Sequence, residues 1–272
     1  GDTLGRRGKA HVTLVDRART HLWKPLLHQV AAGCMDQNDH ALDYLAQARW
    51  HHFNFQLGHM VGLDREGREV LLGPLQDEET GTEVLPARPV PYDTLVIAVG
   101  SQTNDFGTPG AAEHAIALDM PEQAERFRSR LLNACLRANA SPANREPWAL
   151  HVAILGAGAT GVELAAELHN ATRELVAFGL DNINPEEDLR ISLIEAAPRV
   201  LPALPERLSG VTRDLLKKLD VEVLTGERVT RVGPHGVTTA SGREVPAEIT
   251  VWAAGIKAPE FLVDLAGLET NR

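Results

Sequence analysis

Three glycines, at positions 156, 158 and 161, have the G-x-G-x-x-G spacing that suits a dinucleotide. The first glycine permits a tight turn, the second lets a pyrophosphate approach the backbone, and the third lets a helix pack closely on a strand. Backbone N–H groups at the start of that helix face the anion. We therefore predict that a pyrophosphate binds at Gly156, Gly158, Ala159, Thr160 and Gly161.

The residues around these glycines have the pattern that such a site requires. Residues 152–155 form a short apolar run, and an alanine-rich helical pattern follows at once. Residues 189–195 read LRISLIE, a strand pattern that ends in Glu195. An acid at this point accepts hydrogen bonds from the adenosine ribose and repels a 2′-phosphate, which favours NADH over NADPH. Arg199, close by in the sequence, either softens that preference or is a solvated charge.

The first half of the chain repeats this arrangement of strand and acid. AHVTLVDR at residues 10–17 matches RISLIEAA at residues 190–197, so Asp16 corresponds to Glu195. Residues 1–10 lead straight into the first of these strands without a glycine-rich turn. We therefore expect the chain to be an internal part of a longer protein, whose first pyrophosphate loop precedes residue 1.

A second pair of strands extends the duplication. YDTLVIAVG at residues 92–100 matches AEITVWAAG at residues 247–255, and both read as buried strands that end in glycine. Between acid and glycine, each half has short alternating strands broken by tight turns, which is typical of antiparallel meanders. The sequence thus predicts two dinucleotide-binding units in one chain.

Two further helices follow from apolar spacing. Asp119 is expected to cap a helix whose first turn contains Pro121, and residues 138–147 are expected to form a loop. The other helix begins at Pro205 and leads into the strand VEVLT. Its predicted apolar face consists of Leu208, Val211, Thr212, Leu215, Leu216 and Leu219.

Composition narrows the class of ligand. A net charge of −10 without any run of Lys or Arg argues against nucleic-acid binding. The two cysteines are far apart, which indicates no disulfide framework, and the histidines show no metal-binding spacing. Neither a membrane-spanning segment nor a signal peptide is visible. A small-molecule ligand is the expected partner.

Several segments together resemble the type II NADH dehydrogenases, which are single-subunit, non-pumping NADH:quinone oxidoreductases. They are HLWKPLLHQVAAG (21–33), YDTLVIAVGS (92–101), GAGATGVELAAELHNA (156–171), LPALP (201–205) and VWAAGIKAPEFL (251–262). The resemblance covers essentially the whole chain, and the first and last segments are specific to this family.

The resemblance implies an α/β fold with two Rossmann-like units, for FAD and NADH, and antiparallel β-meanders. Residues 1–118 would form an incomplete FAD-binding domain, residues 119–257 an inserted NADH-binding domain, and residues 258–272 the return to the FAD domain. It also implies a peripheral protein on the cytoplasmic side of the inner (plasma) membrane, attached through a C-terminal part beyond residue 272. A homodimer is left open.

The resemblance assigns catalytic roles to Glu163 and Lys24. Glu163 would lie near the nicotinamide and the flavin, although an acid in the first turn of a helix also complements the helix dipole. Lys24 would stabilise the reduced flavin, unless it is a surface lysine. Asp16 would bind the FAD ribose. The remaining cofactor contacts would come from Arg17, Val61, Ala98, Gly100 and Ser101, and from Ala254 and Gly255 on the nicotinamide side.

The implied reaction is hydride transfer from NADH to FAD, followed by electron transfer to a membrane quinone in a respiratory chain. One alternative is an NADH-dependent flavoprotein reductase that serves a soluble iron protein. Another is an NADH-binding sensor without turnover. We expect residues 1–272 alone to bind NADH, to hold FAD weakly or not at all, and to be inactive.

Overall fold

The computed structural model describes residues 2–36, 40–77, 79–177 and 179–269. The chain folds into two compact units. The first contains Gly1–Leu22, His40–Ser101 and Ala258–Arg272, and the second contains Trp23–Asp39 and Gln102–Lys257.

The regular elements are numbered in chain order. The helices are α1 (Asp2–Arg6), α2 (Leu27–Ala32), α3 (Tyr44–His51), α4 (Ala111–His114), α5 (Pro121–Ala140), α6 (Ala159–Ala177), α7 (Pro185–Asp188) and α8 (Glu206–Lys218). The strands are β1 (Thr13–Asp16), β2 (Thr20–His21), β3 (Leu42–Asp43), β4 (Asn54–Leu57), β5 (Met60–Asp64), β6 (Glu69–Leu72), β7 (Leu75–Gln76), β8 (Glu83–Leu85), β9 (Arg88–Pro91), β10 (Gln102–Thr103), β11 (Ala115–Ala117), β12 (His151–Leu155), β13 (Arg190–Glu195), β14 (Val221–Thr225), β15 (Val229–Gly233), β16 (Gly236–Thr239), β17 (Glu244–Pro246), β18 (Ile249–Trp252) and β19 (Ile256–Lys257). Short 3-10 turns lie at Lys24–Leu26, Pro142–Asn144, Glu260–Leu262 and Leu265–Gly267.

A parallel five-stranded sheet forms the core of the second unit, in the order β11-β18-β12-β13-β14. Its central strands are apolar on both faces, as expected for a parallel sheet covered by helices on both sides. Ile154, Leu193 and Val251 are fully buried there. Helix α6 connects β12 to β13, and α8 connects β13 to β14. The predicted Rossmann-like α/β fold is confirmed.

Antiparallel meanders occur in both units, as predicted. In the first unit β5, β6 and β9 form a three-stranded antiparallel sheet. In the second unit β15, β16 and β17 form another. The repeated pattern of short alternating strands therefore corresponds to a repeated structure.

The predicted strand at residues 92–100 is not formed. Regular pairing ends at Pro91, and no residue from 92 to 100 belongs to a strand. Among the described residues, no strand pairs with this segment. Val96 is 79% exposed, and Val12 and Leu14 are only partly buried. This agrees with the expectation that the first unit covers its apolar strand residues less well.

Helix α8 packs along a narrower face than predicted. Leu216 is buried, whereas Leu208, Val211 and Leu215 are 40%, 52% and 53% exposed. The apolar spacing identified the helix correctly. It could not show how much of the apolar surface β14 and α6 cover.

The start of helix α5 also differs from the prediction. Its N-cap residue is Met120, and the Gln123 side chain accepts hydrogen bonds from the backbone N–H groups of Asp119 and Met120. The Asp119 carboxylate accepts from other partners instead, so it does not cap the helix. At its other end α5 continues to Ala140, which shortens the loop predicted at residues 138–147.

The compact units do not coincide with the cofactor domains expected from the sequence. Residues 102–118 belong to the second unit. Helix α2 also belongs to it, because α2 packs on α5 and α6 and buries Leu27 and Val30. The assignment of residues 1–118 to FAD and 119–257 to NADH stays a prediction.

None of the described helices has the length and apolar character needed to cross a membrane.

Candidate dinucleotide site

The turn between β12 and α6 requires glycine at two of its three motif positions. Gly156 has a φ of +104°, and a Cβ there would lie 2.7 Å from the Cα of Ala254. A Cβ on Gly161 would lie 1.9 Å from the carbonyl oxygen of Gly156. Both distances are too short for a real contact. These glycines therefore permit the tight turn and the close packing of helix on strand that the motif predicts.

Gly158 has a different environment. A Cβ at this position would meet no atom within 4 Å, so the fold itself does not demand glycine here. Helix α6 begins at the next residue, and the first N–H groups of a helix have no acceptor within it. Open space in front of such donors is what a pyrophosphate needs. The geometry of the turn thus fits a dinucleotide.

Glu195 holds the glycine turn in place. It ends β13, where its Oε2 accepts a hydrogen bond from the N–H of Ala157 at 2.7 Å and its Oε1 one from Ala197 at 2.8 Å. A carboxylate oxygen has a second lone pair, so each can also accept from a ribose hydroxyl. The sequence pattern predicted the acid at this strand end, but not its contact with the turn.

Arg199 is neither a solvated charge nor a free cation beside the site. Its guanidinium donates hydrogen bonds to the carbonyl oxygens of Leu201, Pro202 and Leu204 and to the Ser209 hydroxyl. Ser209 is buried and donates in turn to the carbonyl oxygen of Val200. Arg199 therefore ties the loop after β13 to the start of α8, a role that the sequence did not indicate.

Replacing Arg199 by methionine should lower the free energy of unfolding by about 2 kcal/mol, because several carbonyl groups lose a charged donor together. Arg207→Met, at an exposed position of α8, is the matched control and should change stability by less than about 0.5 kcal/mol. Urea unfolding followed by circular dichroism measures both values. Equal stabilities for the two variants would contradict this role of Arg199.

Ala254 and Gly255 lie beside the turn within the second unit. Ala254 is the residue that a side chain on Gly156 would meet, and its carbonyl oxygen accepts from the indole N–H of Trp252 at 2.7 Å. Gly255 has a φ of +68°, and a Cβ there would lie 2.4 Å from the ring of Phe106. The sequence singled out the two small residues but not Trp252, which bonds to Ala254, nor Phe106, which lies against Gly255.

Glu163 occupies the exposed face near the start of α6. Its side chain is 50% exposed, and its Oε2 lies 3.4 Å from Nδ1 of His28, whose side chain is 10% exposed. Helix α2, which carries His28, packs against α6. Sequence reasoning singled out Glu163 but not its histidine partner, because the two residues are far apart along the chain.

Lys24 is paired with Asp119. Its Nζ donates to Oδ1 of Asp119 at 2.8 Å, while Oδ2 accepts from the N–H of Thr103 at 2.7 Å. Burial raises the pKa of the Asp119 carboxyl, but the hydrogen bonds from Lys24 and Thr103 and the Lys24 charge lower it by more. The resulting pKa lies below the usual value of 3.8. The Asp119 carboxylate thus fixes the position of the Lys24 ammonium group.

This lowered pKa predicts a pH-dependent contribution to stability. A carboxyl group whose pKa is lower in the folded state stabilises the fold above its unfolded pKa, and that contribution is lost as the pH falls through the folded pKa. Asp119→Asn should therefore be less stable than the unmodified chain at pH 7, and the difference should shrink below a pH of about 4. Thermal unfolding across this range tests the prediction, and a difference independent of pH would contradict it.

Asp16 of the first unit resembles Glu195 in position but has different partners. It ends β1, where its carboxylate accepts from the N–H of Ala18 at 2.9 Å and from the Tyr44 hydroxyl at 3.0 Å. Burial, followed by the Asp16 charge and hydrogen bond, raises the pKa of Tyr44. Tyr44 also stacks on Phe55, with ring centroids 5.0 Å apart. A ribose partner for this acid stays a prediction.

The other residues predicted to contact FAD are less enclosed. Arg17, Val61, Ala98 and Gly100 are exposed, and Ser101 is partly buried. Within the described residues, no glycine-rich turn like that at residues 156–161 leads into a helix of the first unit. The first unit therefore offers an acid for a ribose, but no comparable set of donors for a pyrophosphate.

Known proteins resemble the chain along its length. Type II NADH:quinone oxidoreductase of Haemophilus influenzae is 42% identical over 284 residues, which cover 100% of this chain and 64% of that protein. Type II NADH:quinone oxidoreductase NdhA of Mycobacterium tuberculosis is 33% identical, over 93% of this chain and 53% of that protein. The chain thus spans less than two thirds of the length of either relative.

Solved structures have the same fold. NDH2 from Plasmodium falciparum in complex with NADH superposes with a TM-score of 0.79 at 22% identity, over 94% of this chain and 52% of that one. A ferredoxin reductase from Rhodopseudomonas palustris superposes with a TM-score of 0.72 at 22% identity, over 99% of this chain and 59% of that one.

The family model described as pyridine nucleotide-disulphide oxidoreductase matches residues 2–272. The parallel sheet and the glycine turn that leads into α6 agree with that match. The chain therefore belongs to the pyridine nucleotide-disulphide oxidoreductase family.

Proposed function

We propose that this chain carries the NADH site and part of the FAD site of a type II NADH:quinone oxidoreductase. The observation that supports this most strongly is the glycine turn. Glu195 accepts hydrogen bonds from Ala157 in the turn and from Ala197, and the turn leaves open space at Gly158. The 42% identity to the type II NADH:quinone oxidoreductase of Haemophilus influenzae supports the same activity.

The residues of the second unit would hold NADH at both ends. Backbone N–H groups at residues 158–161 bind the pyrophosphate, and Glu195 accepts hydrogen bonds from the adenosine ribose. Ala254 and Gly255 let the backbone approach the nicotinamide, and Glu163 orients it. The negative charge of Glu195 opposes a 2′-phosphate, while the Arg199 guanidinium is held by carbonyl and hydroxyl oxygens of its own loop and of α8. NADH is thus the expected donor rather than NADPH.

In the first unit, Asp16 accepts hydrogen bonds from the ribose of FAD, and Arg17, Val61, Ala98, Gly100 and Ser101 contribute further contacts. FAD when bound accepts a hydride and passes the electrons on to a quinone. In the second unit, Asp119 holds the Lys24 ammonium group, whose positive charge would stabilise negative charge on a reduced flavin. Attachment to the cytoplasmic face of the plasma membrane through further parts of the protein, and assembly as a homodimer, belong to the same proposal.

The experiment that tests this function uses the longer protein of which this chain is expected to be a part, loaded with FAD, and measures NADH oxidation with two acceptors in parallel. A short-chain, water-soluble quinone should support turnover, whereas a ferredoxin should not. Preference for the ferredoxin would favour the soluble flavoprotein reductase instead. Binding of NADH without reduction of the flavin would indicate a sensor.

A further inference from the structure

A histidine is buried where the surrounding residues call for an apolar side chain. His28 is 8% exposed in helix α2, and its neighbours Leu27, Val30 and Ala31 are buried. The other buried polar residues among those described, Ser209, Thr239 and Thr250, carry hydroxyl groups. Burying an imidazole carries a cost unless it has a polar partner. The identity of that partner therefore indicates what the histidine does.

The partner is the carboxylate of Glu163. Nδ1 of His28 lies 3.4 Å from Oε2 of Glu163, across the contact between α2 and α6. Half of the Glu163 side chain remains exposed, so the carboxylate is held from one side and accessible from the other. The expectation that Glu163 lies in the first turn of the helix is wrong: it is the fifth residue of α6, and no acidic residue lies in the first turn, so the helix dipole does not account for it. His28 therefore covers one side of the carboxylate and leaves the rest of it open to a ligand.

One turn further along α6, Glu167 provides a comparison. Its Oε2 accepts a hydrogen bond from Sγ of Cys34 at 3.5 Å, and Cys34 lies two residues beyond the end of α2. Glu167 therefore shares the helix and the charge of Glu163, but not the histidine. Glu167→Gln is a matched control for Glu163→Gln.

We propose that His28 is a positioning residue that holds the Glu163 carboxylate for the nicotinamide end of NADH. This inference rests on the proposed function, because it takes NADH as the ligand of the second unit. The imidazole fixes one carboxylate oxygen, and the exposed oxygen orients the nicotinamide. His28 does not touch the ligand itself.

The first measurement needs no ligand. In the 272-residue chain with labelled histidine, the NMR signals of the His28 imidazole should shift in Glu163→Gln and stay unchanged in Glu167→Gln. Glu163 is exposed enough for its variant to fold. His28 signals that do not respond to Glu163→Gln would overturn the proposal.

The second measurement compares NADH with ADP-ribose, which lacks the nicotinamide. His28→Leu and Glu163→Gln should each weaken NADH binding about fivefold, the scale of one lost hydrogen bond, and should leave ADP-ribose binding unchanged. Because both residues act through one carboxylate, the double variant should be no weaker than either single variant. His28→Gln, which keeps a side-chain donor, should recover part of the loss and serves in place of His28→Leu if that variant does not fold.

Two results would overturn the role of His28. Equal weakening of NADH and ADP-ribose in His28→Leu would mean that the histidine only supports the fold. Weakened NADH binding in Glu163→Gln but not in His28→Leu would mean that Glu163 acts alone. Failure of the unmodified chain to bind either ligand would instead contradict the proposed function, while the NMR comparison still tests the contact.

Discussion

Replacing Gly158 by alanine should weaken NADH binding at least about tenfold while the chain stays folded. A methyl group there meets no protein atom within 4 Å, so the fold has room for it. It would, however, stand in the open space in front of the first N–H groups of α6. The pyrophosphate could then no longer approach those N–H groups closely. It would lose the hydrogen bonds between these donors and its negatively charged oxygens, which give the site its affinity.

Two other glycines give this prediction its controls. Gly161→Ala would place a Cβ 1.9 Å from the carbonyl oxygen of Gly156, so it should lower stability by about 1–3 kcal/mol and reduce binding through misfolding. Gly210→Ala, inside α8 with nothing within 4 Å, should leave binding unchanged and raise stability by up to about 1 kcal/mol. Calorimetric titration and thermal unfolding separate these outcomes. Unimpaired NADH binding by folded Gly158→Ala would contradict the assignment of the site.

The second large effect concerns the choice between NADH and NADPH. Glu195→Gln should reduce the preference for NADH about tenfold, because it removes the negative charge that a 2′-phosphate would meet. Like charges about 4 Å apart at an effective dielectric near 20 repel by about 4 kcal/mol, and a third of that is already tenfold in affinity. Affinities for both cofactors, measured by titration, test the prediction.

The same variant should also lower stability. An amide has only one acceptor oxygen, so either Ala157 or Ala197 would lose its partner, at a cost of about 1 kcal/mol for a partly exposed group. Glu222→Gln is the control, since it removes a negative charge from the neighbouring strand β14 without touching the turn. The control should leave the cofactor preference unchanged. A wild-type chain that binds NADPH as tightly as NADH would refute the role of Glu195.

The features that the sequence predicted correctly depend on local spacing. The glycine turn, the helix after it and the acid at the end of the next strand follow from a fixed order of residue types, and the structure brings Gly156 and Glu195 into one site. The parallel sheet follows from continuous apolar strands joined by helices. Such patterns are independent of distant parts of the chain.

The features that were missed depend on neighbours that a linear pattern does not reveal. Helix α8 has the expected apolar residues, but whether Leu208 and Leu215 are buried depends on what packs against them. The segment at residues 92–100 has the composition of a strand, yet a strand also needs a partner for its hydrogen bonds. The acceptors of Arg199 are backbone carbonyl groups of a loop, whose positions depend on the folded chain and not on residue type.

The most direct test of the central claim is a calorimetric titration of the unmodified 272-residue chain with NADH. The second unit contains the glycine turn, Glu195, which accepts a hydrogen bond from that turn, and the small residues beside it. We therefore expect NADH to bind with a stoichiometry of about one per chain. We also expect Gly158→Ala to weaken this binding at least about tenfold. A chain that is folded and binds no NADH would contradict the assignment of this unit as the NADH site.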